Sequence, residues 1–419
     1  MFKLLSTLVL PVFFLSFAIA WANLSNTTGL SFQLVALSGA VPDGHASNGS
    51  AYTTEDLRLP ISTSARYAYG VFVSLGTREG TRLKVLGLDT EISTSWVMCE
   101  PCHPSPPQVG NLFSPSASPT FHGVHNNDPV CTTPYRKTAH GCSFHFSSIT
   151  GYLSRDTFHL RTGRAGAVRE SIPRVVFGCA HSSTGFHNDN TLGGVLSLSH
   201  LPLSLLTQLG GHAGGRFSYC LPMPTVHNPH GSLLLGADVP SPPPHAHTTN
   251  LVIHPGVSGY HLNLIGITLG YKRLKIDKRV FVSHSCSINP AETITHFAEP
   301  IYLVVEKALV ARMKELGSDP VKGPPGGPLW FDRMYISVEQ LPNMAFHFEG
   351  GAELWFTSDR LFEVHGMNAR FMVAGRGYRR TVIGAAQQEC ALPGASTDFR
   401  WVQLLHYNIT PYTGLALVE

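Results

Sequence analysis

Two short stretches carry the side chains best suited to chemistry. In the first half an apolar run ends in Leu88-Asp89-Thr90 and is followed by Glu91; in the second half Ser287-Ile288-Asn289 is followed by Pro290, Ala291 and Glu292. A carboxylate at the end of an apolar strand is a candidate general acid or base, because burial moves its proton affinity toward the working pH. The stretches also share a context. Gly194-Val195-Leu196 follows the first and Val382-Ile383-Gly384 the second, each about a hundred residues on, so the chain reads as a duplicated unit. Other chemistries lack their motifs: there is no GxSxG elbow, no HExxH, no phosphate-cradling loop and no glycine fingerprint between a strand and a helix. Cys99-Glu100-Pro101-Cys102 has the spacing of half a zinc site, but no second pair follows at ligand spacing. His245 and His247 fall in a Pro-rich stretch that reads as a solvated loop. Neither a metal nor a cofactor is expected.

The elements that must position these residues are strands. Among 419 residues there are 40 glycines and 30 prolines, and only 14% are charged, against a usual charged share of about 25%. Short β-rich runs broken by Gly and Pro recur from Tyr67 onward, among them YAYGVFVSLG, RLKVLGLD, PRVVFG, GSLLLGAD, YHLNLIGITLG, MAFHF and TVIGAA. This spacing predicts an all-β arrangement. One helix is expected, opening at Glu299-Pro300, with Ile301, Val304, Val305, Ala308, Leu309, Arg312 and Leu316 mostly on one face and Gly317 as its stop. The net charge of +3, with no long run of either sign, excludes the electrostatic footprint of a nucleic-acid binder.

Residues 1–22 carry Lys3, an apolar stretch and small residues at Ala18, Ala20 and Ala22, which predicts a cleaved secretory signal and a secreted product with no membrane anchor. Export gives meaning to four sequons, at Asn23, Asn26, Asn48 and Asn408. It also favours disulfides among the eight cysteines, Cys99, Cys102, Cys131, Cys142, Cys179, Cys220, Cys286 and Cys390, whose pairing the sequence leaves open. The expected organisation is a signal at 1–22, a propeptide or disordered arm at 23–64, a first lobe at 67–237, a Pro-rich linker at 238–250 and a second lobe at 251–419.

The segment LGLDTEISTSWVMCEPC (86–102) resembles the first active-site strand of pepsin-like aspartic peptidases, in particular the plant nepenthesin-like branch with its LDTGSDLTWVQCxPC pattern. The resemblance continues through VVFGCA (175–180), GGVLSLSHLPLSLLTQL (193–209), GRFSYCLP (215–222), YHLNLIGITLGYKRLKI (260–276), PNMAFHFEGGAEL (342–354) and TVIGAAQQ (381–388). It implies a two-lobed pepsin-like β-barrel fold with a few short helices and a cleft between the lobes. It also implies a chemistry in which two aspartates, one from each lobe, share a proton and a water that attacks a peptide bond.

The chain departs from that pattern where the chemistry resides. Asp89 and Thr90 are retained, but Glu91 stands where the family has glycine. Asn289 stands at the position of the second aspartate, followed by Pro290, Ala291 and Glu292 in place of the Ser-Gly-Thr pattern. An amide cannot exchange a proton with Asp89, and Pro290 has neither hydroxyl nor amide hydrogen. The covering hairpin, CSFHFSSIT (142–150), lacks the family's tyrosine and Gly-Asp-Gly turn, and Trp330 and Phe371 occupy the places of a half-cystine pair. Three readings follow. The chain is a catalytically impaired, monomeric binder of a peptide or protein in the cleft, an acid endopeptidase that uses Asp89 with Glu91 or Glu292, or a degenerate copy without function.

Overall fold

In the computed structural model, two copies of one three-strand crossing set the position of everything else. The structure describes residues 30–36, 69–76, 83–103, 112–146, 148–162, 168–183, 192–210, 213–222, 231–241, 247–252, 254, 256–321, 323, 327–390, 401–405 and 414–418. In the first half, Leu83–Asp89 runs parallel to Gly194–Ser197, with Leu86 opposite Gly194 and Asp89 opposite Ser197, while Gly194 and Val195 also pair antiparallel with Val97 and Trp96. In the second half, Cys286–Ile288 runs parallel to Thr381–Ile383, and Val382 pairs antiparallel with His296. Matching hydroxyls pin both crossings. Ser95 Oγ accepts the Ser197 N–H at 2.9 Å, and Thr295 Oγ1 accepts the Gly384 N–H at 3.1 Å. The duplication is thus present in register and in side-chain detail, and the chain has the two-lobed, pepsin-like, mostly β architecture that the motifs imply.

Alternation explains why these segments are strands. Along Tyr69–Leu75 the residues Tyr69, Val71, Val73 and Leu75 are buried, at the two-residue period of a pleated strand. Two four-stranded sheets belong to the second half, one centred on Leu264–Leu269 and Met344–Phe348, the other on Trp330–Asp332 and Asn368–Phe371. The expected helix spans Glu299–Glu315, with proline in its first turn. It buries Ile301, Tyr302, Val305, Leu309 and Met313 on one face, and Gly317 leaves it with φ +80°. Gly375 sits under this helix, where a Cβ would come within 2.3 Å of Tyr302 Cβ, so only glycine fits. Among the described residues, no helix is long and apolar enough to cross a membrane.

Two expectations are corrected. Within the stretch 23–64, residues Leu30–Ala36 form a strand paired with Gly231–Leu235 and Tyr69–Leu75, so a disordered arm does not describe them. The reason is a short apolar alternation, Leu30, Phe32 and Leu34, all buried. Within the expected linker 238–250, His247–Asn250 opens a strand that pairs with Gly414–Val418, so the linker ends earlier than its composition suggests. His247 is exposed on that strand. His245, the signal at 1–22 and the sequons at Asn23, Asn26, Asn48 and Asn408 lie outside the described residues.

The lobes share a buried polar seam. Arg216–Pro222 of the first half pairs with Glu389–Cys390 of the second. Beside it Tyr69 donates to Glu389 Oε1 at 2.9 Å, and Arg360 Nη1 meets Glu389 Oε2 at 3.2 Å with both side chains almost wholly buried. Burial raises the Glu389 pKa to about 7, against the lowering influence of Arg360 and the Tyr69 hydroxyl. A carboxyl pKa raised by folding means that the fold prefers the protonated form. Its contribution is therefore complete below the ordinary carboxylate range and is lost as pH rises through about 7. The melting temperature is expected to fall between about pH 5 and 8. Glu389→Gln, which keeps an acceptor for Tyr69 without the charge, should flatten that fall in thermal unfolding followed across pH.

Candidate functional site

The two crossings bring Asp89 and Asn289, two hundred positions apart in the chain, to one dry floor. Asp89 is 2% exposed and Asn289 3%. Asp89 Oδ1 accepts three N–H groups, from Glu91 at 2.7 Å, Ile92 at 3.2 Å and Asn289 Nδ2 at 3.2 Å. Asn289 Oδ1 accepts the N–H of Ala291 at 3.0 Å and both the N–H and hydroxyl of Thr90 at 3.3 Å. These donors fix the amide orientation, since a flipped Asn289 would turn its NH₂ toward N–H groups and its oxygen toward a carboxylate. The side chain joined to Asp89 is therefore a permanent donor that holds no exchangeable acid proton.

The lock between the strands is one-sided. Thr90 Oγ1 donates to the Ile288 carbonyl at 2.8 Å, across the lobes. The reciprocal bond would have to come from residue 290, and Pro290 offers neither hydroxyl nor N–H. Ala291, in the second glycine position, is 2% exposed and packs with the apolar cluster that includes Val85, Trp96 and Val195.

Glu91 turns its carboxylate across to the second lobe. Arg380 meets it with a two-pronged fork, Nη1 to Oε1 at 2.6 Å and Nη2 to Oε2 at 2.6 Å, and Ser287 Oγ donates to Oε1 at 2.6 Å. Ser258 Oγ donates to the Glu91 carbonyl. Room comes from Gly259, at φ +96°, where a Cβ would lie 3.1 Å from Glu91 Cγ. Burial pushes the Glu91 pKa up, but the Arg380 fork and the Ser287 hydroxyl outweigh it and hold the carboxyl below its usual range. Glu91 is thus committed to Arg380, which removes it as a second carboxyl for Asp89. Glu292 Oε2 lies 3.6 Å from His296 Nε2. His296 stacks on Tyr378 with ring centroids 4.1 Å apart, and burial lowers its pKa to about 4.

The covering hairpin pairs Gly141–Phe146 with Ile149–Thr162 as far as Phe146 opposite Ile149. A tyrosine that sequence reasoning missed stands near its end. Tyr135 shares hydrogen bonds with Thr94 and Ser93 of the active-site loop and packs edge-on to Phe146 at 6.3 Å. It lies outside the hairpin, so no motif marks it. Arg380 and Ser258 were also missed, and Ser287 was named without this role; the one available signal was that a buried Glu91 needs a cation.

Cys99 bonds to Cys179 and Cys131 to Cys142, and Cys220 is also disulfide-bonded. Cys102 and Cys286 are buried thiols, which corrects their place among the disulfide candidates. Strand Trp96–Met98 runs parallel beside Val168–Ser183, and as it ends the Cys99 N–H donates to the Ala180 carbonyl at 2.8 Å, which brings Cys99 within 5.4 Å of Cys179 between Cα atoms, while Cys286 lies in the core of the second crossing. Burial raises the pKa of both thiols. Among the described residues, no group of three or more His, Cys, Asp or Glu side chains could hold a metal ion.

Two lobes, each contributing one polar side chain at the end of a crossed strand, define the pepsin-like class. Family models for the N-terminal and C-terminal halves of xylanase inhibitors match residues 69–237 and 259–392, more than half of the chain between them. The chain is 27% identical to Aspartyl protease 25 of Oryza sativa subsp. japonica over 324 residues, 70% of each chain. It is 26% identical to Aspartic proteinase nepenthesin-1 of Nepenthes gracilis over 289 residues, 66% of this chain and 63% of that one. The chain therefore spans about two thirds of the length of these relatives. Basic 7S globulin from soybean has the same fold, with a TM-score of 0.65 at 15% identity over 93% of this chain and 97% of that one. Conglutin gamma from lupine seeds gives 0.65 at 16% over 94% and 95%. The chain belongs to the pepsin-like aspartic peptidase family, in its plant nepenthesin-like branch.

The one-sided lock yields a direct expectation. Thr90→Val removes the hydroxyl that bridges to Ile288 and should cost about 1–2 kcal/mol in denaturant unfolding, whereas Thr90→Ser should cost less.

Proposed function

We propose that this protein is a secreted, monomeric member of the aspartic peptidase family that does not hydrolyse peptide bonds and acts by holding a peptide or protein segment in the cleft. The observation that carries the reading is the contact between Asn289 Nδ2 and Asp89 Oδ1 at 3.2 Å. Peptide hydrolysis by this fold requires one carboxyl that gives a proton and one carboxylate that takes one, both addressing the same water. Asn289 does neither. Loss of positioned acid–base assistance costs about 10²–10⁴ in rate, before the altered turn at Pro290 is counted.

Binding does not need that proton. The family models matched are described as xylanase inhibitors, which supports a role in binding another protein. The disulfides Cys99–Cys179 and Cys131–Cys142 fit an oxidising, secretory environment.

Purified secreted protein is expected to cleave a denatured protein substrate no faster than its Asp89→Asn variant at any point across roughly pH 3–6. The check is peptide release with and without pepstatin. Pepstatin-sensitive cleavage that disappears in Asp89→Asn would overturn the proposal and direct attention to Glu292 as the second carboxyl.

A further inference from the structure

We infer that Glu91 and Arg380 form a clamp between the lobes, which takes over the joining role that the active-site lock lost at residue 290. The clamp has groups from four separate segments. Glu91 comes from the turn after Leu83–Asp89, Ser258 and Gly259 from the approach to Tyr260–Leu262, Ser287 from Cys286–Ile288 and Arg380 from the approach to Thr381–Ile383. The last three segments are neighbours in one sheet, because Tyr260 pairs with Ile288 and Cys286 with Thr381. Their contribution is therefore a rigid platform on the second lobe. The first lobe supplies a single side chain that reaches onto it.

Each part of this arrangement meets a specific physical demand. A glutamate in place of a glycine in a crowded turn would bury a charge, and an unpaired buried charge costs several kcal/mol. Here the Glu91 side chain is 13% exposed, and both of its oxygens lie on the guanidinium fork. The bidentate geometry fixes direction as well as distance. Ser287 adds a third donor to the carboxylate, Ser258 holds the Glu91 carbonyl, and Gly259 leaves the space that Glu91 Cγ fills. The clamp is anchored on the first lobe as well, since the Glu91 N–H is tied to Asp89 Oδ1 at 2.7 Å.

The position of the clamp gives it a role beyond local pairing. It lies one residue from Thr90, whose hydroxyl makes the surviving half of the lock to Ile288. The missing half would have started from Pro290, which cannot donate. The bonds of Glu91 to Arg380, Ser287 and Ser258 all cross between the lobes at this level, so the seam is re-closed by a charged contact in place of the lost hydroxyl. The cleft floor is then held at one spacing whether or not a ligand is bound. This inference does not depend on the proposed loss of proteolysis.

The test is a double-mutant cycle on the full-length secreted protein with Glu91→Gln, Arg380→Gln and the pair, followed by hydrogen exchange and thermal unfolding. Each single change should speed exchange of the Glu91, Ile92 and Asn289 amides by about tenfold or more, with amides in the strands 149–162 and 168–183 unaffected. The double variant should be no faster than the faster single one, because the two side chains act as one contact. Arg380→Lys, which keeps the charge without the fork, should fall between wild type and Arg380→Gln. Should a charge-removing variant fail to fold, Ser287→Ala reads the same contact and should speed exchange of the same amides by about threefold. Additive effects of the two single changes, or unchanged exchange at these amides in a folded variant, would overturn the clamp.

Discussion

Everything at the centre of this molecule depends on how polar groups are satisfied where two strand ends from opposite lobes meet away from water. A buried donor or acceptor left without a partner costs about 1–3 kcal/mol, so the residues there are chosen as a set. Two carboxyls at such a point can pair only by sharing a proton, which ties their contact to acid pH. Replacing one by Asn289 removes that condition. The amide donates to Asp89 Oδ1 at 3.2 Å and accepts from Thr90 and Ala291, so the pair stays joined by an N–H that does not titrate. In the proposed reading, the ability to move a proton between the two side chains is given up, and a contact with no titrating bridge is gained.

The same logic recurs along the seam. Three tyrosines from the interior donate across the lobes, Tyr69 to Glu389, Tyr219 to Gln388 and Tyr260 to the Leu198 carbonyl at 2.8 Å. Burial raises the pKa of each phenol, so all three remain neutral donors over the range in which the protein would work. Glu389 is the exception. It titrates near neutrality, and its neighbours are one phenol, one guanidinium and the more distant carboxylate of Asp359. A seam of neutral donors with one titrating carboxyl favours acid conditions without requiring an acid for its assembly.

Much of this was legible in the sequence, for a physical reason that also marks the limit. The strands, the helix at Glu299–Glu315 and the two ends at Asp89 and Asn289 are written in local patterns, apolar alternation and a repeat in register. The strand at Leu30–Ala36 was not legible, because three alternating apolar residues fall short of a signal by themselves and most of its pairing is to Gly231–Leu235, far along the chain, with only its end on Tyr69–Val71. Glu91 could be flagged as anomalous but not explained. Its partner Arg380 is 289 positions distant, and no motif requires an arginine there. The cysteine pairing, left open by the sequence, was out of reach for the same reason, since Cys99 finds its partner Cys179 80 positions away on a neighbouring strand.

A fold by itself is silent on activity, because function resides in the side chains placed on it. The decision rests on a few side chains, and those side chains agree with one another. A covering hairpin shelters a developing charge from water, and a reaction that develops no charge needs no shelter. The hairpin here is paired as far as Phe146 opposite Ile149 and lacks the family's tyrosine, in a chain that holds an amide where the second acid would be. Glu91, which would crowd a glycine turn built to approach a substrate backbone, is instead spent on Arg380. Cover, acid and glycine are separate elements on separate segments of the chain. Asn289 is satisfied by Asp89, Thr90 and Ala291, and Glu91 by Arg380 and Ser287, so the two substituted polar groups at this floor are each fully engaged, as the proposed binding role requires.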